Sequence, residues 1–280
     1  MKVRGVLLTC VLLVGTGASS LRRRAQDSAT SYDPTKCVHM EKGHCQDEDG
    51  GAWSYRKPDG TCLKTEQELR GEISAPILDA FPKAFPDVKS VVDFGGGLGA
   101  YLTSWRNHGL PQKDVVLVEP HDLGDCVFAG ITHQKLDIFS GVDLVDEEGA
   151  LRQFDAVTTI EVAEHIPLAL HPRIVRWLVT HARTWIIFSA GRPGQGGEGH
   201  VAEKDPAVWR AEFEAHVGVH GKRVIYDADA TARLKTTMPY SGVLTENLSV
   251  FRVIVSKRRR FDSLSRASRV SARGGRAAAP

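Results

Sequence analysis

Residues 91–101 read VVDFGGGLGAY: an apolar run, an acid, then glycines at Gly95, Gly97 and Gly99. An unbroken apolar run is what a parallel strand buried on both faces requires. Glycines let the chain turn sharply and approach a ligand closely. Ala100, Tyr101, Leu102 and Trp105 then begin a helical pattern whose N-terminus would face the same ligand. Strand, glycine turn and helix start make a nucleotide-binding corner. Gly95, Gly97 and Ala100 also satisfy the dinucleotide fingerprint G-x-G-x-x-G/A. Asp93 at the strand tip argues against that ligand, because a carboxylate repels a pyrophosphate and suits positive charge.

Further acids follow at matching places. DVVLVEP (114–120) ends in Glu119, able to accept from both hydroxyls of a ribose. ITHQKLDIF (131–139) reads as a third strand ending at Asp137. FDAVTTIEVAEHIP (154–167) is a fourth, with Glu161, Glu164 and His165 at its end. The loop GRPGQGGEGHV (191–201) holds five glycines and His200, and is expected to move over a substrate. Histidine titrates near neutral pH, so His165 and His200 are candidate bases, with Glu164 beside them.

The ordered set over 91–167 resembles the motifs of class I S-adenosylmethionine-dependent methyltransferases. That resemblance implies that Asp93, Gly95, Gly97, Glu119, Asp137 and Glu161 hold S-adenosyl-L-methionine. Asp137 would contact the adenine amine and Ile138 would pack on the ring. It also implies that His165, His200 and Glu164 stand on the substrate side. Methyl transfer needs alignment of nucleophile, methyl carbon and sulfur more than covalent help. An oxygen or nitrogen nucleophile on a small molecule or glycan is the expected acceptor. The alternatives are an NAD(P)-dependent oxidoreductase and a non-catalytic adenosine-binding protein.

Glu161, Glu164, His165 and His200 also resemble the magnesium site of plant small-RNA 2′-O-methyltransferases. This chain departs from those proteins in lacking an extended RNA-binding region. E-x-x-E-H also occurs in quinone-type small-molecule methyltransferases that use no such metal. A divalent metal is therefore the secondary reading of the cluster.

Elements that could position these residues alternate along the chain. Leu69, Ile73, Ile77, Leu78 and Phe81 predict one helix between Thr65 and Phe85. Pro172 starts another, and Asp205-Pro206 caps one running to about His216. TWIIFSAG (184–191), KRVIYD (222–227) and NLSVFRVIV (247–255) read as the remaining strands, with a short helix near 227–235. Strand–helix alternation gives an α/β fold with right-handed crossovers. The resemblance makes it a three-layer, Rossmann-like, seven-stranded and mostly parallel sheet. Its last strand would enter antiparallel between the fifth and sixth.

Length and charge set bounds. The chain has 280 residues and a net charge of +2. Five basic residues and no acid fall in 1–24, and eight basic residues face Asp262 in 256–280, which leaves the body near −10. An acidic body lacks the basic stripe a nucleic acid needs. Residues 1–20 read as a signal peptide: Lys2 and Arg4, an apolar stretch too short to span a bilayer, then small residues. Entry to the secretory pathway is expected, with a plastid or other organelle as the alternative. Residues 21–64 form a polar linker and cysteine-bearing cap, 65–255 the methyltransferase domain, and 256–280 a basic disordered tail. Cys37, Cys45 and Cys62 are expected to contribute one disulfide, or two with Cys126. Zinc is the lesser reading of these cysteines with His39 and His44. The sequon at Asn247 sits at a strand start, where a glycan is poorly tolerated.

Overall fold

The structure is a computed structural model that describes residues 39–41, 44–46, 55–57, 59–197, 199–218, 221–239 and 242–255. The signal-like segment, Cys37 and the basic tail lie outside these residues. Strands β1 (His39–Glu41) and β2 (His44–Gln46) pair as a small antiparallel hairpin. Helices α1 (Glu66–Ile73) and α2 (Ala75–Ala84) precede β3 (Val91–Phe94). Then come α3 (Ala100–Asn107), β4 (Val115–Glu119), β5 (Thr132–Lys135), β6 (Phe154–Ile160) and α4 (His171–His181). The rest is β7 (Ala182–Ser189), α5 (Pro206–Ala215), β8 (Lys222–Tyr226), α6 (Ala228–Thr237), α7 (Val243–Asn247) and β9 (Ser249–Val255).

Seven strands form one sheet in the order β5-β4-β3-β6-β7-β9-β8. β9 pairs antiparallel with both β7 and β8, while the β3, β4, β5, β6 and β7 ladders are parallel. This is the Rossmann-like arrangement that the family resemblance implies, with the last strand entering antiparallel between the fifth and sixth strands of the sheet. The register Val91↔Val115 and Val91↔Ala156 puts the ends of β3, β4 and β6 side by side, where their acids can share a site.

Period-two side chains divide the sheet into two cores. Val91, Val115 and Leu117 face Phe81, Leu102, Trp105 and Leu234 of α2, α3 and α6. Val92, Val116 and Val118 face Ile174, Trp177, Leu178, Trp209 and Phe213 of α4 and α5. Phe251 locks the inserted β9: it is fully buried, with its ring centroid 4.4 Å from Phe213. Phe251→Ala should therefore cost about 3–5 kcal/mol, read as a lower urea midpoint with an unchanged m-value.

Several boundaries differ from the sequence reading. The single helix expected over 65–85 is two helices, broken at Ser74, whose φ is 83°. Thr65 caps the first through a reciprocal pair with Glu68, and Pro76 opens the second. β5 stops at Lys135, because Asp137 leaves the strand to cap a short 3-10 turn over Ile138–Ser140. β7 begins two residues earlier than expected, and Asn247 closes α7 rather than opening the last strand. The disulfide joins Cys62 to Cys126 across 64 residues, the pairing in which Cys126 takes part. Cys62 is thereby removed from any zinc set. Among the described residues no helix is long and apolar enough to cross a membrane.

Candidate active site

The carboxyl ends of β3, β4 and β6 open into a cavity of about 660 Å3. Asp93, Gly95, Gly97, Glu119, Asp137, Glu161 and His165 all line it. Glu164 and His200 do not; they stand directly behind His165, whose ring is 4.9 Å from that of His200. The strand tips of a parallel sheet are where open α/β folds place ligands.

Asp93 is 1% exposed. Thr158 Oγ1 donates to its Oδ1 at 2.5 Å, and its Oδ2 has no partner. Burial pushes this carboxyl up to about 7, against the opposing Thr158 hydrogen bond. Gly96 has to be glycine, since a Cβ there would collide with Asp93 Oδ2. Gly97, at φ 60°, turns its N–H onto Glu119 Oε1 at 2.7 Å. Burial also pushes Glu119 up to about 8. Asp137 gives one oxygen to the Phe139 N–H at 2.8 Å, so its capping role and its place in the cavity go together.

Glu161 carries the only positive φ of a non-glycine residue besides Ser74 among the described residues, 53°. Such a conformation costs about 1–3 kcal/mol and marks a site under constraint. Ser189 holds its N–H, and Asn247 Nδ2 and Gln195 Nε2 hold its carboxylate at 3.2 and 3.1 Å. Asn247 is therefore a buried member of the site, which agrees with discounting it as a glycan acceptor.

Glu164 is fully buried and neither carboxylate oxygen has a hydrogen-bond partner. Burial first, then the neighbouring Glu161 charge, pushes its carboxyl up to about 8. The two histidines beside it are fixed from behind. His165 Nδ1 lies 3.1 Å from Gly199 O, and His200 Nδ1 lies 2.8 Å from Glu203 Oε1. Those contacts leave His200 Nε2 toward Glu164 Oε1 at 3.9 Å. Burial holds the His165 imidazole below its ordinary range, so it is neutral at pH 7. An unpartnered carboxyl beside His165 and His200, each ring held by an outer acceptor, offers the donor set of a divalent cation. The same set fits a proton acceptor.

The glycine loop differs from expectation. It is pinned rather than free to close: Val201 and Ala202 N–H groups bond Glu164 O, Lys204 N–H bonds Gly191 O, and Glu203 takes the Gly194 and Gly196 N–H groups. Glu203 is the residue that gathers this loop, and nothing in its local sequence marked it. Thr158, Gln195 and Tyr55 were missed in the same way. Thr158 alone left a signal, as a polar residue inside an apolar strand beside Asp93's own strand.

Residues 65–229 match the family model described as a methyltransferase domain, more than half of the chain, and the protein belongs to that family. No curated protein matches the sequence. Solved structures are similar at low identity. A SAM-dependent methyltransferase from Archaeoglobus fulgidus has TM-score 0.43 and 11% identity, covering 68% of this chain and 99% of that one. An amino pentose methyltransferase from Micromonospora echinaspora has TM-score 0.42 and 14% identity, covering 68% and 92%. Magnesium protoporphyrin IX methyltransferase from Synechocystis has TM-score 0.42 and 12% identity, covering 67% and 87%. The family match sets the oxidoreductase reading aside.

Proposed function

We propose that this protein transfers a methyl group from S-adenosyl-L-methionine to an oxygen or nitrogen nucleophile on a small-molecule or glycan acceptor. The observation that carries the reading is the single cavity that gathers Asp93, Glu119 and Asp137 at one end and Glu161 and His165 at the other. Donor ammonium and sulfonium charges compensate the buried Asp93 carboxylate, whose Oδ2 has no hydrogen-bond partner among the described residues. Glu119 accepts from the ribose. The remaining wall offers Leu69, Ile73, Ile160, Ile166 and Leu170, an apolar surface suited to positioning a small organic acceptor.

Proton removal falls to the cluster behind His165. Neutral His165 borders the cavity and can take the acceptor's proton, with Glu164 and His200 behind it. A divalent cation held by Glu164, His165 and His200 would polarise an acceptor oxygen and lower its pKa. Entry to the secretory pathway is part of the same proposal, supported by the signal-like N-terminus and the Cys62–Cys126 disulfide.

The test is incubation of cell extract with radiolabelled S-adenosylmethionine and the purified protein, followed by fractionation. Label in the small-molecule or glycan fraction is the expected result. Label confined to RNA or protein would overturn the acceptor class, and no label in any fraction would overturn the transfer.

A further inference from the structure

One side of the donor cavity is closed by a short strap that the family motifs do not include. Residues 55–57 and 59–63 fold back on themselves: Leu63 N–H donates to Tyr55 O at 2.8 Å, and Lys57 N–H to Thr61 O at 2.8 Å. Three attachments hold the strap to the loop after β4. Cys62 is bonded to Cys126, Arg56 donates to Leu123 O at 3.0 Å, and Arg56 pairs with Asp125 at 2.6 Å. The strap places Tyr55 over the glycine turn. Tyr55 Cε1 would lie 3.3 Å from a Cβ at Gly97, and the Tyr55 hydroxyl donates to Glu119.

That hydrogen bond conflicts with donor binding. A ribose diol donates two hydrogen bonds to the strand-tip acid, one to each oxygen or both to one. Glu119 Oε1 already takes the Gly97 N–H, and the tyrosine takes a further position on the same carboxylate. Glu119 is only 4% exposed with Tyr55 in place. A ribose diol bound there competes with Tyr55 for that carboxylate.

We propose that Tyr55 is a competitive gate over the ribose subsite, and that the Cys62–Cys126 disulfide keeps it shut. This rests on the reading of the cavity as a donor site. Opening is a thiol–disulfide exchange. A dithiol reductant attacks the Cys62 sulfur, which is half-buried, rather than that of Cys126, which is 3% exposed. The S–S bond breaks, a mixed disulfide forms, and the second thiol of the reductant expels Cys62. Two electrons and two protons pass to the protein, which ends with two thiols, while the reductant leaves as its own disulfide. Freed from its covalent anchor, the strap loses the one attachment to the loop after β4 that thermal motion cannot break, and the Arg56–Asp125 ion pair that remains is exposed and therefore weak.

The experiment titrates full-length protein with S-adenosylhomocysteine by calorimetry, oxidised and after reduction with dithiothreitol, for the parent and for Tyr55→Phe. Hydrogen exchange at the Leu63 amide reads the strap directly, without any ligand. Reduction should raise parent affinity about fivefold to tenfold and speed exchange at Leu63. Oxidised Tyr55→Phe should bind about as tightly as the reduced parent and respond little to reduction. Weaker binding by Tyr55→Phe, or a loss of affinity on reduction, would make Tyr55 a donor contact and overturn the gate. Unchanged affinity with an exchange rate that does not move would overturn it while the donor site stands. Faster exchange with no binding by either protein in either state would overturn the donor site and leave the opening of the strap standing.

Discussion

Asp93→Asn is expected to weaken S-adenosylmethionine binding about 30-fold at pH 8, the scale of a lost charge-assisted hydrogen bond in a buried site. The fold should survive, because the asparagine Oδ1 can still accept from Thr158 Oγ1, as Asp93 does. The pH profile separates this loss from simple damage. Without donor, burial holds Asp93 near 7, so at pH 6 most of the population carries a proton there. A cationic donor selects the ionised form, so binding expels that proton. The Asp93 step alone should raise the parent's apparent affinity about tenfold from pH 6 to pH 8. Glu119, pushed up to about 8, adds a second step in the same direction. Asp93→Asn should lose the step near pH 7 and keep the one near pH 8. Calorimetric titration at four pH values checks this. A variant that binds as tightly as the parent, with the same profile, would remove the electrostatic basis of the donor site.

The features that were legible in the sequence are those in which one short segment contains the whole physical reason. β3, β4 and β6 are continuous apolar runs because both sheet faces are covered, and each run ends where the chain must turn at the cavity. Their tip acids could be placed from the run alone. The break at Ser74 was not legible from spacing, because Leu69, Ile73, Ile77 and Phe81 keep a helical rhythm through it. Pro76 was the available sign, since a proline is at home in a helix's first turn. The partners of the tip acids were not legible at all. Thr158 reaches Asp93 across 65 positions, Asn247 reaches Glu161 across 86, and Tyr55 reaches Glu119 only because a disulfide binds its strap to the far side of β4. The first two pairings are decided by the sheet register and by the inserted β9, and the third by the disulfide, all of them properties of the assembled fold. The glycine loop shows the converse. Its composition suggested freedom, yet Glu203 and Glu164 take up its amides and hold it against the site.

Glu164→Gln should separate stability from turnover. In the folded protein Glu164 sits at about 8, whereas an unfolded glutamate titrates near 4.3. Folding therefore favours the protonated form. Between about pH 4.5 and 8 the folded state holds a proton that the unfolded state has released, so stability falls as pH rises through that window, by about 1.4 kcal/mol per pH unit for one group. Glutamine mimics the protonated acid and does not titrate. Parent and variant should melt together near pH 5, and the variant should become the more stable of the two as pH approaches 8. Turnover should move the other way. With the ionisable oxygen gone, neither a proton nor a cation can be held between the two imidazoles, and kcat should fall about 100-fold or more. Donor affinity should change less than twofold, because Glu164 lies behind His165 and outside the cavity wall. Thermal melts from pH 5 to 8, beside donor titrations and single-turnover rates, test all three statements on one variant. A variant that melts below the parent at pH 8 would show that Glu164 has a stabilising partner. Full turnover in a folded Glu164→Gln protein would move the chemistry away from this cluster.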